Sequence, residues 1–229
     1  FPVETFAMVH DGTDIIDKDY KNLCAEMYSK GHSFFTYISD SADSLASCCR
    51  LRNEMAENTF SPTSGLTGVK TGSCNVITLN INRIVQDWYK SVGSTLSLPY
   101  HKGFEQSLSA YITNILERVY KYHIAYKTML YDWEARGMYA SSNGGYINIK
   151  DLFSTIGING LNEAAEFLGL TVSNNPDYIE FLQLILGTIK EQNKIHSIPD
   201  RKRPFLFNSE VVPAEGLGVK NYNWDKQDG

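Results

Sequence analysis

The sequence predicts a mixed α/β fold, and three observations carry that reading. A strand-like run from Cys74 to Ile81 passes directly into a helix from Arg83 to about Val92. A single stripe of apolar residues at helical spacing runs from Gly103 to Gly137. Short alternating runs bounded by turn residues recur on either side of both. With 42% hydrophobic and 12% aromatic residues among 229, the chain can bury a real core. Its formal net charge of −5 comes with dispersed Lys and Arg, so the basic footprint that binds a phosphate backbone is missing and no nucleic-acid partner is expected. No run approaches the roughly 20 consecutive apolar residues of a membrane helix. Phe1-Pro2-Val3-Glu4 is neither a basic region nor a hydrophobic signal core, so a cytoplasmic protein with no membrane partner is expected.

Taken in order, Phe1 to Val9 alternates as a strand does but lacks an initiator Met, and the chain is expected to begin inside a longer protein. Asp17 to Gly31 reads as a helix, because Tyr20, Leu23, Cys24, Met27 and Tyr28 fall at i, i+3, i+4, i+7 and i+8. On that face Cys24 is a small buried hydrophobe. Ser33 to Ile38 is a short strand feeding a long loop, bracketed by Ser39 to Ser44 and Ser61 to Gly65, that carries Cys48 and Cys49. In the strand from Cys74 to Ile81, alternation puts Cys74, Val76, Thr78 and Asn80 on one face and Ile77, Leu79 and Ile81 on the other. His123 lies in the stripe of the long helix with no His or carboxylate at i+3 or i+4, which makes it a core histidine rather than a ligand; Gly137 offers a stop.

Beyond the long helix, Ser141 to Gly145 is a turn and Tyr146 to Ile149 a short strand. Ser154 to Glu163 is a glycine-punctuated approach to a helix from Leu161 to Leu168, closed by Gly169. Its glycines either leave N–H groups free to receive an anion or allow close packing. A helix from Asp177 to Lys194 follows Asn175-Pro176, then a basic loop from Ile198 to Arg203, a strand from Phe205 to Val212 and a turn-rich tail.

The four cysteines, Cys24, Cys48, Cys49 and Cys74, are too sparse for a secreted disulfide framework, and reduced thiols are expected. They form no pair of Cys-x-x-Cys knuckles, so no metal site is expected. The Cys48-Cys49 doublet admits three readings. Both can be small loop residues, the reading that composition favours. One can be a polar nucleophile, although His10, His32, His101, His123 and His196 give it no recognisable partner context. Or a thiol can be carried on a loop threaded into a barrel, into the dry site that radical chemistry needs.

Five segments decide among these: Phe1-Pro2-Val3-Glu4-Thr5, the run Ser47-Cys48-Cys49-Arg50-Leu51-Arg52-Asn53, residues Val76 to Ile84, residues Gly157 to Ala164, and residues Val212 to Lys220. In this order they resemble the anaerobic, class III ribonucleoside-triphosphate reductases. The resemblance implies that residues 1–229 are a single domain, part of a ten-stranded α/β barrel with a central finger loop. It implies a glycyl-radical enzyme that reduces ribonucleotides to deoxyribonucleotides. Cys49, just before Arg50, matches the thiyl residue that takes the ribose 3′ hydrogen, with Ser47, Cys48, Asn159 and Gly160 as substrate contacts. Leu51 stands where aerobic reductases have a carboxylate, which fits formate as reductant. Cys74 stands close to where aerobic reductases and a thioredoxin-using anaerobic subgroup place half of a reducing cysteine pair, so thioredoxin-fed chemistry and plain packing both stay open.

The partners so implied are a ribonucleoside triphosphate, a radical SAM activase that generates the glycyl radical, formate or a thioredoxin-like reductant, and a second copy of the enzyme in a homodimer. The glycyl-radical segment, its Cys-x-x-Cys zinc site and an N-terminal ATP-binding regulatory region have no match in this sequence, and the chain alone is expected to be inactive. Two alternatives remain: a pyruvate formate-lyase-like acyltransferase, which uses both adjacent thiols, and a non-catalytic subunit completed by another polypeptide. Arg50-Leu51-Arg52 and Leu79-Asn80-Ile81 favour the reductase.

Overall fold

The structure, a computed structural model, describes residues 5–32, 34–40, 44–46, 52–54, 72–92, 105–212 and 216–228. In chain order the elements are β1 (Thr5–Val9), α1 (Lys18–Ser29), β2 (Phe35–Ser39), β3 (Ser44–Ala46), β4 (Arg52–Glu54), β5 (Gly72–Asn80), α2 (Ile81–Val92) and α3 (Glu105–Ala135). They continue with α4 (Ala140–Asn143), a 3₁₀ turn at Ile149–Asp151, β6 (Leu152–Asn159), α5 (Leu161–Phe167), α6 (Pro176–His196), β7 (Leu206–Val211) and α7 (Leu217–Asp228). They fall into two compact units, Phe1–Gly72 with Ala140–Asp151, and Ser73–Tyr139 with Leu152–Gly229.

In the first unit β1 and β2 pair in parallel, Thr5 opposite Phe35 and Val9 opposite Ser39, with α1 as the crossover. Asp17 starts that helix by accepting the Tyr20 N–H at 2.9 Å, and Gly31, at φ +81°, lies just past its end. Met8, Ile15, Cys24 and Phe34 form the core, with Phe6, Tyr20 and Met27 against it. The expected helix face is thus realised at Tyr20, Cys24 and Met27. Leu23 and Tyr28 are instead 51% and 46% exposed, the Tyr28 hydroxyl reaching the Phe34 carbonyl and Thr36. β3 and β4 pair antiparallel, Ser44 opposite Glu54. The strand expected over Tyr146 to Ile149 does not form. Gly145 turns the chain at φ +79°, and the Asn148 side chain bonds the Lys150 N–H and the Asp151 carboxylate, local bonds that replace a strand ladder.

The second unit is a three-stranded sheet, ordered β5-β6-β7, with helices on one face. β6 and β7 run parallel, Phe153 opposite Leu206 and Ile158 opposite Val211. Leu79, Ile156, Ile158 and Phe207 meet Val85 and Trp88 of α2, Ile112, Leu116 and Tyr120 of α3, and Phe181, Ile185 and Ile189 of α6 in one buried cluster. Two sequence expectations are corrected here. Residues Leu152 to Asn159, which from Ser154 onward read in the sequence as a glycine-punctuated approach, are a strand, because pairing with β7 supplies the ladder that local propensity does not indicate. The turn-rich tail is the helix α7. No described helix is long and apolar enough to cross a membrane.

Candidate functional site

Ser47, Cys48 and Cys49 lie outside the described residues. Asn159 and Gly160 are described, and the structure puts both on the wall of a cavity of about 290 Å³. The cavity opens where the parallel strands β6 and β7 end and where α5 and α7 begin, the position at which open parallel sheets receive ligands. Val211 and Val212 supply apolar wall, Leu217 and Gly218 bring in the first turn of α7, and Asn162 and Glu163 complete the rim. The Tyr178 hydroxyl donates to Asn162 at 2.6 Å. Burial, and then the nearby Glu163 carboxylate, push the Tyr178 phenol pKa upward.

Gly160 answers one of the open questions. Its backbone is left-handed at φ +73°, and a Cβ there meets Asn80 Oδ1 at 3.0 Å, Asn82 N at 3.1 Å and Asn82 Cβ at 3.2 Å. Close packing against the β5–α2 junction therefore requires glycine here. α5 has only seven residues and no side-chain cap, so it builds no anion site of its own. The Asn159 side-chain oxygen is buried and accepts no hydrogen bond among the described residues.

Behind the cavity lies a polar junction that sequence reasoning missed. Asn80, at the end of β5, accepts the Arg83 N–H at 3.3 Å and donates to Asn221 Oδ1 of α7 at 2.9 Å. Gln86 donates to Asn82 at 3.3 Å and to Asp225 at 3.2 Å, and Arg83 donates to Gln86 at 3.2 Å. The signal in the sequence is Asn80-Ile81-Asn82, two carboxamides at a strand-to-helix transition with no loop between.

On the sheet face away from the helices, Ser73 Oγ lies 2.8 Å from Thr155 Oγ1, whose hydroxyl donates to Asn208 at 2.7 Å, a polar row across all three strands. Thr78 shares that face, since a Cβ on Gly157 would lie 2.4 Å from its hydroxyl. Cys74 does not join them as strict alternation had it. Its thiol donates to the Phe153 carbonyl at 3.3 Å and lies 3.7 Å from Ser154 Oγ, and Ser154 alternates with the core residues Ile156 and Ile158. Cys74 is half-buried and free of disulfide bonding. Cys24 is buried, and that burial pushes its thiol pKa upward, as for an inert core residue.

His123 sits wholly inside the second unit, facing the Phe207 ring at 6.1 Å, and among the described residues neither ring nitrogen has a well-formed hydrogen bond, the Thr155 backbone being a weak neighbour. It is a core residue, as expected, though an unsatisfied one. Among the described residues no group of three His, Cys, Asp or Glu side chains is placed to hold a metal ion.

The family described as anaerobic ribonucleoside-triphosphate reductase matches residues 1–228. The fold is similar to that of a solved anaerobic ribonucleotide reductase at a TM-score of 0.64 and 23% identity, over 99% of this chain and 33% of that one. It is similar to the anaerobic ribonucleotide reductase from Thermotoga maritima solved with citrate in the active site, at 0.63 and 25%, over 99% of this chain and 38% of that one. The same enzyme in complex with dATP and CTP gives 0.63 and 24%, with 99% and 35% covered. The chain thus spans between about a third and two fifths of the length of these relatives. No curated protein sequence matches it.

Proposed function

The chain belongs to the anaerobic ribonucleoside-triphosphate reductase family, and from that premise we propose that it is the finger-loop portion of a glycyl-radical reductase acting on ribonucleoside triphosphates. The observation that carries the reading is the family match over residues 1–228. The cavity at the ends of β6 and β7 supports it, because Asn159 and Gly160 border a ligand-sized space there. In this reading residues 1–229 form part of one barrel, and Ser47, Cys48, Asn159 and Gly160 contact the nucleotide.

Glycyl-radical chemistry of the family, on a segment outside this chain, supplies a one-electron oxidising equivalent when present. Cys49, having given up its own hydrogen atom, takes the ribose 3′ hydrogen atom. The C3′–H bond breaks, the S–H bond forms again and the unpaired electron moves to C3′. The two electrons of the net reduction come from formate or from a thioredoxin-like donor. A radical SAM activase and a second copy of the enzyme are the proposed protein partners.

The test uses the complete enzyme carrying its radical. Cys49→Ala is expected to abolish deoxynucleotide formation while the glycyl radical stays detectable by electron paramagnetic resonance; normal turnover overturns the assignment. Cys48→Ala is expected to keep activity, and its complete loss favours the acyltransferase reading, in which both thiols act. If instead the chain is a non-catalytic subunit, it co-elutes with a completing polypeptide on size exclusion and Cys49→Ala changes nothing.

For Cys74 two readings stand. The family resemblance makes it half of a reducing pair, whereas its contacts with Phe153 and Ser154 favour packing. As half of a pair, it must come within a Cα separation of roughly 7 Å of a second cysteine from the rest of the enzyme. Cys74→Ser is then expected to eliminate thioredoxin-supported turnover and spare radical formation. Full activity of the variant with formate, and none of the wild type with thioredoxin, makes Cys74 structural.

A further inference from the structure

We propose that Asn80 and Asn221 are positioning residues: their paired carboxamides lock α7 onto the β5–α2 junction and thereby set the wall of the cavity at Leu217 and Gly218. The inference rests on the cavity being the nucleotide site only for its last readout.

α7 has little else to hold it. Among its described residues Asn221 alone is buried, at 4% exposure, while Val219 and Tyr222 are 67% and 66% exposed. Apolar burial, which fastens α2, α3 and α6, is therefore a minor force here. The stripe Leu217, Asn221, Asp225 runs at i, i+4, i+8 along one side of the helix. Its first member lines the cavity, its second bonds Asn80 and its third bonds Gln86 and lies 3.9 Å from Arg83. The helix face that shapes the cavity is the face that the polar junction grips.

Asn80 is suited to the task because its two amide atoms do different work. Its oxygen accepts the Arg83 N–H, satisfying a donor in the first turn of α2, and its nitrogen donates to Asn221. One carboxamide thus ties the end of the central run of chain to a helix 141 residues further on. The absence of a Cβ at Gly160 lets β6 end directly against Asn80 and Asn82, which brings the Asn159–Gly160 wall to the same junction. The Asn221 nitrogen is buried with no partner of its own, so the Asn221 amide can turn over and donate if the group opposite becomes an acceptor.

That chemistry separates a clamp from mere filling of space. Asn80→Asp keeps the acceptor for Arg83 N–H and presents a carboxylate to the reversed Asn221 amide; Asn221→Asp presents a carboxylate to the Asn80 nitrogen. Each single acid preserves the pair. The double variant sets two carboxylates against each other at neutral pH, and Asn221→Leu leaves the half-buried Asn80 donor unpaired.

The experiment is hydrogen exchange on the 229-residue chain and these four variants at pH 7, with the double acid repeated at pH 5. Asn221→Leu and the double acid are expected to speed exchange in residues 220–228 by roughly three- to tenfold, the equivalent of one lost hydrogen bond. Exchange in α6 stays unchanged, both single acids match wild type, and the double acid regains protection at pH 5. Unchanged exchange in α7, equal loosening of α6, or single acids as loose as the double acid overturns the clamp. CTP titrated into the complete enzyme carrying the same substitutions tests the cavity link. Affinity is expected to fall wherever exchange rises, and equal affinity in wild type and Asn221→Leu overturns it. If wild type takes up no CTP, the nucleotide reading of the cavity fails, and the clamp stands or falls on exchange alone.

Discussion

His123 is the residue whose chemistry most directly couples this chain to pH. Burial holds its imidazole pKa down to about 4, against an opposing pull from the Thr155 backbone. Lys127, one turn along α3 and equally buried, donates to the Leu152 carbonyl at 2.5 Å on the same side of the helix. A proton on His123 would therefore sit unsolvated in the neighbourhood of a lysine. The folded state keeps His123 neutral where the unfolded chain, with an ordinary histidine, already binds a proton. Stability is thus fully present above about pH 6.5 and is lost as pH falls toward 4, by on the order of 3 kcal/mol. His123→Leu fills the space without a titrating group. Urea midpoints between pH 7 and pH 4.5 are expected to fall more steeply for wild type than for this variant, and parallel slopes would show that His123 carries no linkage.

At the scale of elements, the sheet depends on glycine where side chains of neighbouring strands would collide. A Cβ on Gly157 would meet Thr78 Oγ1 at 2.4 Å and both Thr78 Cα and Cβ at 3.1 Å, so β5 and β6 approach this closely only with glycine. Gly157→Ala is expected to cost about 1–3 kcal/mol in chemical denaturation. Because main-chain and Cβ atoms are involved, Thr78→Ala recovers only part of the loss and Thr78→Gly recovers more, read as the coupling in a double-mutant cycle. No coupling in either cycle would mean that the strands separate freely there. The same residues explain what the sequence disclosed and what it hid. α3 was legible because Leu108, Ile112 and Val119 fall at helical spacing and end in the core, although Tyr122, Tyr126 and Trp133, at the same spacing, are exposed, and the core residues Leu116 and Tyr120 were not read as part of the stripe. β6 was not, because Gly157 and Asn159 carry turn propensities that pairing with β7 overrides. α7 was hidden for a different reason: its docking is polar, through Asn221 and Asp225, and leaves no apolar period to read. Asn159 and Gly160 entered as substrate contacts through the family resemblance, the local glycine pattern leaving anion binding and close packing both open, whereas the Asn80–Asn221 contact joins residues 141 apart and has no local trace.

Across the whole molecule the two units differ in how much apolar surface holds them. The second unit buries a cluster running through β5, β6, β7, α2, α3, α5 and α6, with Trp88, Phe181, Ile156 and Ile189 almost wholly enclosed. Among the described residues the first unit rests on Met8, Ile15, Cys24 and Phe34, under a sheet of two parallel strands, with Ile16, Leu23 and Ile38 more than half exposed. A two-stranded sheet with a small core is marginal by itself, and local opening follows local burial. The ion pairs of Asp14 with Lys18 and Lys21 do not compensate, since all three side chains are more than 40% exposed. α1 is therefore expected to exchange its amide hydrogens through a low-energy opening of the first unit, while α6 exchanges only when the second unit unfolds. Measured by native-state hydrogen exchange, residues Leu23 to Tyr28 should exchange at least roughly a hundredfold faster than residues Phe181 to Asn193, a gap of about 3 kcal/mol. Adding urea at low concentration should accelerate α6 more than α1, because α6 opens with the larger exposure of surface. Equal protection of the two helices, with equal urea dependence, would instead make the chain one cooperative body, as the single-domain reading of residues 1–229 requires.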